Sequence, residues 1–148
     1  MVRRLNPWFE NIKKRQVKSP KVYFRDSGLY HTLLGIGDED ELTRHPKLGS
    51  SWEGFAMEQV IRHHKAESED CYFWATQSQA ELDLMIVKEG KRLGFEFKYA
   101  SSPSLTKSMQ TAFTDVKLHH LSIITPNAKA FPLAEDIYVY SLEEYLAN

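Results

Sequence analysis

The segment "ELDLMIVKEGKRLGFEFKYA", residues 81–100, constrains the fold more than any other part of the chain. Two apolar runs flank a charged turn, a pattern that predicts a β-hairpin. The turn has either two residues, Glu89 and Gly90, or four, Lys88 to Lys91, and both give the same register. One register buries a continuous apolar face, and its pairs are Leu82 with Phe97, Leu84 with Phe95, and Ile86 with Leu93. A shift of one residue would set charged residues against these apolar ones, so burial selects this register.

The same register brings carboxylates together on the other face of the hairpin. Asp83 is predicted to lie directly opposite Glu96, and Glu81 directly opposite Lys98. Directly paired residues have Cβ atoms about 4.5–5.5 Å apart, and like charges at that spacing repel each other. Two carboxylates this close favour the binding of a cation.

A third acid is predicted on the helix that precedes the hairpin. The segment "SSWEGFAMEQVIRHHKAE" starts with a capping-box pattern, Ser50 to Glu53, and is helical to about His64. Glu53 shares one helical face with apolar residues that are expected to pack on the sheet, namely Ala56, Met57, Val60 and Ile61. A charged group on such a face must be paired, hydrogen-bonded or bound to a metal ion.

The residues Glu53, Asp83, Glu96 and Lys98 are therefore the candidate catalytic residues, and the three acids are the candidate metal ligands. Mg²⁺ or Mn²⁺ suits such a set, because hard divalent cations prefer oxygen ligands. A bound ion lowers the pKa of water and neutralises a phosphate, while an ammonium group stabilises developing negative charge. This chemistry predicts hydrolysis of phosphodiester bonds.

Simpler roles are open for each of these residues. The Glu53 carboxylate can accept a hydrogen bond from the Ser50 amide in the capping box. Lys98 can pair with Glu81 across the strands. Asp83 and Glu96 can belong to a solvated face of the hairpin, with Arg92 close to them in the sequence.

The remaining pattern predicts an α/β fold. A short helix capped by Asp26 or Ser27 precedes an acidic loop, "GDEDELTRHPKLGSS", and the strand "CYFWA" precedes the hairpin. After the hairpin come an amphipathic helix in "SSPSLTKSMQTAFTDVK", the strands "HLSIIT" and "IYVYS", and a final helix. A helical crossover should make the strands near residues 97 and 123 parallel, in a mixed sheet with helices on both faces.

The first 25 residues are basic, although the net charge of the chain is −1. They contain eight Lys or Arg residues and a single acid, Glu10, so the rest of the chain carries about −8. Aromatic residues are interleaved with the basic ones, a mixture that predicts DNA binding through phosphate contacts and base stacking. The alternative is a surface that docks on an acidic neighbour.

The bulk composition indicates a soluble domain. A length of 148 residues with 42% hydrophobic residues is enough for a real core. The single Cys71 excludes an intrachain disulfide and a cysteine-rich zinc site. No apolar run approaches the length of a membrane span and no signal peptide is recognised, so the sequence predicts a cytoplasmic protein without a membrane partner.

The order of a helix with Glu, a strand with Asp, and a strand with Glu-x-Lys resembles the PD-(D/E)XK nuclease superfamily. More closely, the chain is similar to the C-terminal domain that follows the ATPase domain in a family of prokaryotic AAA+ ATPases. The resemblance rests on these segments: "NIKKRQVKSPKVYFRDSGLYHTLLGI", "LGSSWEGFAMEQVI", "YFWATQSQAELDLMI", "GFEFKYASSPSLTKSM" and "PLAEDIYVYSLEEYL". Leu82 stands where the literal nuclease motif has Pro.

The resemblance implies a restriction-endonuclease-like αβββαβ core. It implies Asp83 and Glu96 as metal ligands, Lys98 as the catalytic lysine and Glu53 as the acid of the helix. Residues 1–40 are then a basic and aromatic N-terminal segment, and 41–148 the nuclease-like domain. No phosphate-binding loop for ATP is present in this sequence, so an AAA+ ATPase domain is expected as a partner in full-length relatives. The alternative function is a non-catalytic docking, regulatory or nucleic-acid-binding module of that ATPase.

Overall fold

A mixed sheet of eight strands forms the centre of the protein in a computed structural model, which describes residues 2–148 apart from the side chain of Ser27. The strands are β1 (Val2–Pro7), β2 (Lys21–Phe24), β3 (Cys71–Ala75), β4 (Glu81–Lys88), β5 (Lys91–Phe97), β6 (His120–Thr125), β7 (Phe131–Ala134) and β8 (Ile137–Ser141). The helices are α1 (Ser27–Leu33), α2 (Glu39–Arg44), α3 (Leu48–His63), α4 (Lys107–Asp115) and α5 (Leu142–Ala147). A short 3-10 helix, Ser68–Asp70, precedes β3.

The order of strands across the sheet is β2-β1-β3-β4-β5-β6-β8-β7. The predicted succession of a helix, three strands, a helix and a strand is confirmed as α3, β3, β4, β5, α4 and β6. The predicted crossover is confirmed as well, because β5 and β6 are parallel neighbours connected through α4, with Glu96 paired to Ile123. The sheet is mixed, and helices flank it.

The predicted hairpin register is confirmed between Leu84 and Phe95 and between Ile86 and Leu93. Glu89 and Gly90 form the connecting turn with φ values of 53° and 77°, which is the backbone conformation that a type I′ turn requires. The pairing of β4 with β5 ends at Leu84 and Phe95. The direct pairs predicted beyond that point were therefore wrong, namely Leu82 with Phe97, Asp83 with Glu96 and Glu81 with Lys98. The Phe97 amide donates a hydrogen bond to the Asp83 side chain there instead.

Two apolar cores lie on the two faces of the sheet. One contains Met109 and Ala112 of α4, and the other contains Met57 and Val60 of α3. The prediction of one continuous apolar face was wrong for Leu82, which packs in the α4 core while Leu84 and Ile86 pack in the α3 core. The physical reason is the irregular register of β3 against β4, between Tyr72 and Trp74, which breaks the simple alternation of faces there.

Some predicted loops are regular structure. The acidic segment predicted as a loop contains α2, whose start is capped by the Asp38 side chain accepting from the Glu41 amide. Three acids in the first turn of α2 interact favourably with the helix dipole. Strands β1, β2 and β7 were not predicted, and β1 joins the sheet as a parallel neighbour of β3.

The basic N-terminal segment is thus part of the central sheet. Arg3 of β1 is buried and forms an ion pair with Glu58 of α3, which is also buried. Within the described residues, we find no helix with both the length and the apolar character needed to cross a membrane. The division of the chain at residues 40 and 41 stays a prediction.

Candidate active site

Asp83 on β4 and Glu96 on β5 are acids in the interior of the protein, with exposed fractions of 8% and 4%. The Phe97 amide donates a hydrogen bond to Asp83 Oδ2 over 2.9 Å. Glu96 Oε1 is buried and has no hydrogen-bond partner among the described residues. The buried pair therefore has an oxygen that nothing in the described chain satisfies, and leaving it so costs free energy.

The pKa values of both acids are raised. Burial raises the pKa of Asp83, although the Phe97 amide and the charge of Lys98 lower it. Burial also raises the pKa of Glu96 well above its ordinary value, and the charge of the neighbouring Asp83 carboxylate raises it further. Two neighbouring buried acids whose pKa values are both raised either share a proton or require a cation beside them.

Lys98 follows β5 directly and supplies the nearest positive charge. Its Nζ lies 3.4 Å from Glu96 Oε2, and 43% of its side chain is exposed. Partial burial lowers its pKa, but the charges of Glu96 and Asp83 outweigh this effect and the pKa is raised overall. Lys98 therefore stays protonated at neutral pH and compensates part of the acidic charge.

Glu53 is placed by α3 and not by a capping box. The helix begins at Leu48 after Lys47, which makes no side-chain cap hydrogen bond, so the predicted start at Ser50 was wrong. Glu53 lies inside the helix, and its Oε1 accepts a hydrogen bond from the Tyr23 hydroxyl over 3.2 Å. Burial and the charge of Asp83 raise the pKa of Glu53 to about 7, while Lys21 opposes the increase.

A cavity of about 640 Å³ connects these groups to the surface. Its lining includes Glu53, Asp83 and Lys98, together with Lys21 and Tyr23 of β2. The sequence did not identify Lys21 and Tyr23 as site residues, and the only signal was the mixture of basic and aromatic residues in their segment. Three of the four predicted residues line this cavity, and the fourth, Glu96, is not among the lining residues but contacts Lys98.

Glu81 has a different partner from the one considered in the sequence. It forms an ion pair with Lys21, and Lys98 pairs with Glu96 instead. The simpler role of Lys98 as the cross-strand partner of Glu81 was therefore wrong. The consequence is that two lysines from distant parts of the chain, Lys21 and Lys98, border the same cavity.

Whether the site fits a metal ion depends on the number of oxygen ligands it offers. Among residues 2–148, no group of three or more His, Cys, Asp and Glu side chains is arranged so that it could hold one. Asp83 and Glu96 nevertheless present two adjacent carboxylates and the unsatisfied Oε1 of Glu96. This set fits Mg²⁺, which proteins commonly bind through one or two carboxylates while several waters remain on the ion.

The raised pKa of Glu53 predicts a specific dependence of stability on pH. Between its ordinary value of 4.5 and about 7, the folded protein keeps a proton on Glu53 that the unfolded chain has released. The free energy of unfolding therefore falls as pH rises through this window. Glu53→Gln cannot titrate, so we expect a smaller decrease in this variant, measured by urea unfolding in metal-free buffer.

The matched control is Glu135→Gln, since Glu135 is an exposed acid in the segment between β7 and β8. Its profile should follow that of the wild-type protein. Parallel profiles for the wild-type protein and Glu53→Gln would show that the environment of Glu53 does not disfavour its charge.

The chain has recognisable relatives. Residues 48–145 match the family model described as a domain of unknown function, DUF4143, and residues 1–40 match that of another domain of unknown function, DUF8612. The chain is 46% identical over 148 residues to the uncharacterized protein Mb2031c of Mycobacterium bovis and to the uncharacterized protein Rv2008c of Mycobacterium tuberculosis. These alignments cover 100% of the chain but 33% of each relative, so the chain spans about one third of their length.

No solved structure matches the chain. A DUF4143 domain typically lies C-terminal to an AAA-type ATPase domain, and the partial coverage of the longer relatives is consistent with that arrangement. Because its model spans residues 48–145, well over half of the chain, the protein belongs to the DUF4143 family.

Proposed function

We propose that this protein is a metal-dependent, nuclease-like domain that hydrolyses phosphodiester bonds in DNA. The observation that carries the proposal is the buried pair of Asp83 and Glu96, in which Glu96 Oε1 has no partner among the described residues and Lys98 lies 3.4 Å from Oε2. A purely structural pair of acids would be expected to have its oxygens satisfied by amides or arginines.

Asp83 and Glu96 would hold the ion, Mg²⁺ or Mn²⁺. When bound, the ion would lower the pKa of a water molecule and neutralise charge on the attacked phosphate. The raised pKa values of the two acids agree with this assignment, because a cation restores the charged forms that burial and mutual repulsion disfavour. The ligand role of Glu53 stays a prediction.

The chain itself supplies the remaining functions. Lys98 keeps its proton at neutral pH and is partly exposed at the cavity, so its ammonium group can donate hydrogen bonds to a phosphate oxygen as negative charge develops. The Tyr23 hydroxyl holds Glu53 in position, and a pKa of about 7 suits Glu53 to exchange a proton near neutral pH.

The order of elements supports a restriction-endonuclease-like αβββαβ core. Glu53 is on α3, Asp83 on β4 and Glu96 on β5, and Lys98 follows Glu96 by two residues. These are the positions that the PD-(D/E)XK resemblance assigns to the helix-borne acid, the two ligands and the catalytic lysine. The additional strands β1, β2, β7 and β8 extend the sheet on both sides of this core.

The proposed setting is the C-terminal part of a larger cytoplasmic ATPase of the AAA+ type. It is supported by the family match and by relatives about three times as long as the chain. In that setting an ATPase domain is the partner within the same protein, and DNA is the substrate that contacts the basic N-terminal residues.

The proposal is tested by a cleavage assay with single-stranded and duplex DNA in the presence of Mg²⁺ or Mn²⁺. We expect cleavage by the wild-type chain, none with a chelator, and a loss of about 10²-fold or more in Lys98→Ala, as when a group that stabilises transition-state charge is removed. Lys91→Ala is the matched control, since Lys91 is exposed at the opposite end of β5.

Equal inactivity of the wild-type protein and Lys98→Ala on all substrates would contradict the proposal. The result would favour the non-catalytic docking or regulatory module instead.

A further inference from the structure

The cavity at the candidate active site has neighbouring cavities along the N-terminal segment. It shares Lys21 and Glu81 with a second cavity of about 550 Å³. The second cavity shares Val17 and Ser19 with a third one, of about 640 Å³. The shared residues place the three cavities next to one another, with the ion pair of Lys21 and Glu81 between the first two. We call this row of neighbouring cavities the N-terminal groove.

The end of this groove that lies far from the acids is basic. Lys14, Arg15 and Lys18 line it and are all exposed. Lys14 forms an ion pair with Asp115 over 2.6 Å, whereas Arg15 and Lys18 have no ion-pair partner among the described residues. Two uncompensated cations at this position complement a phosphate backbone that leads towards the cavity of Lys21 and Lys98.

Exposed aromatic rings lie at both ends of the groove. Phe9 lines the basic end and is 65% exposed, and Phe55 lines the cavity of the acids and is 43% exposed. Exposed rings beside cations are the elements with which proteins bind single strands, because unpaired bases stack on them. In a duplex the bases stack on one another, so these rings would make no such contacts.

We propose that the N-terminal groove binds single-stranded nucleic acid, with the backbone on Arg15 and Lys18, a base on Phe9, and the strand directed into the cavity of Asp83 and Lys98. The direction of the strand rests on the proposed function, whereas binding to the groove does not. The substrate class of the site is therefore single-stranded DNA or the unpaired end of a duplex.

The test is fluorescence anisotropy with a labelled oligothymidine about 20 nucleotides long, compared with a duplex of the same length, at low salt and with a chelator. The chelator prevents hydrolysis, so that binding is measured without it. We expect tighter binding of the single strand than of the duplex. We also expect affinity to fall with salt, with a logarithmic slope of about −0.7 for each phosphate contact.

Two variants locate the binding site. Arg15→Glu combined with Lys18→Glu is expected to lower the affinity about tenfold or more and to reduce the salt slope by about 1.4, which corresponds to two lost phosphate contacts. Phe9→Ala is expected to lower the affinity about fivefold or more through the loss of one stacked base. The control with the same charge change is Lys65→Glu combined with Lys129→Glu, at exposed positions that follow α3 and precede β7 and that do not line the groove.

Equal binding of duplex and single strand, or groove variants that bind like the control, would overturn the inference and assign the basic face to a partner of another kind. If the single strand binds to the groove as expected but the protein is inactive in the cleavage assay, the proposed hydrolysis is rejected and the groove remains a binding site. Failure of the two proposals is thereby distinguishable. Far-ultraviolet circular dichroism of each variant verifies that the fold is retained.

Discussion

Asp83→Asn is expected to reduce metal-dependent DNA cleavage by about 10²–10³-fold or more, the range seen when one preorganised charge-stabilising group is removed. The substitution keeps the shape of the side chain, and its amide oxygen can still accept the hydrogen bond from the Phe97 amide. What it removes is the negative charge beside Glu96, and with it one of the two proposed ligands. Initial rates with saturating Mn²⁺ measure the effect.

The same substitution should stabilise the fold in metal-free buffer. Burial raises the pKa of Glu96 and the charge of Asp83 raises it further, so removing that charge relieves a repulsion in the interior. Loss of activity together with a gain in urea midpoint is the signature of acids kept for function at the expense of stability. Asp136→Asn, at an exposed turn before β8, is the matched control and should change neither property.

Unchanged cleavage in Asp83→Asn would remove Asp83 from the site. Unchanged or reduced stability in metal-free buffer would show that the two carboxylates do not repel each other.

Arg3→Met is expected to destabilise the folded protein by about 3–5 kcal/mol, the usual cost of removing one partner of a buried ion pair. Arg3 is 6% exposed and Glu58 is 3% exposed, and two nitrogens of the guanidinium group contact the carboxylate. Arg25 lies 3.6 Å from Glu58 and is partly exposed, so it compensates only part of the loss. The measurement is urea unfolding at neutral pH.

Combining Arg3→Met with Glu58→Leu should recover much of the stability, because two apolar residues of similar volume replace the pair without a charge in the interior. If the double variant were as unstable as the single one, packing and not charge would explain the loss. A loss below about 1 kcal/mol in Arg3→Met would instead contradict the burial of the pair.

This ion pair matters for the site because it joins β1 to α3. Helix α3 carries Glu53, and β2, the antiparallel neighbour of β1, carries Lys21 and Tyr23. The N-terminal strands and the helix therefore position one side of the cavity together. Arg3→Met is accordingly expected to weaken the contact of Tyr23 with Glu53 as well as the fold.

The sequence predicts those parts of the fold that depend on short-range patterns, such as apolar alternation and turn residues. The hairpin register followed from alternation of apolar residues and from a turn at Glu89 and Gly90, whose positive φ values suit that turn. Strand β1 could not be found in this way, since Arg3 occupies an inward position where a pattern expects an apolar residue. Its partner Glu58 is 55 residues away, and nothing in the sequence indicates the pairing.

The candidate site shows the same division. Asp83, Glu96 and Lys98 were placed together because they lie on adjacent strands with a fixed side-chain period. Lys21 and Tyr23 were missed because they come from a strand that joins the sheet only through β1. The start of α3 was misplaced because Lys47 provides no side-chain cap, whereas the pattern at Ser50 imitates one.

The most direct test of the central claim is the anomalous density of Mn²⁺ in crystals soaked with the ion and in chelated controls. The proposed site predicts a peak between Asp83 and Glu96 at about 2.1 Å from Glu96 Oε1, and no peak in soaked crystals of Asp83→Asn. Wild-type crystals without such a peak, in which Glu96 Oε1 stays without a ligand, would contradict the claim that these two acids form a metal site.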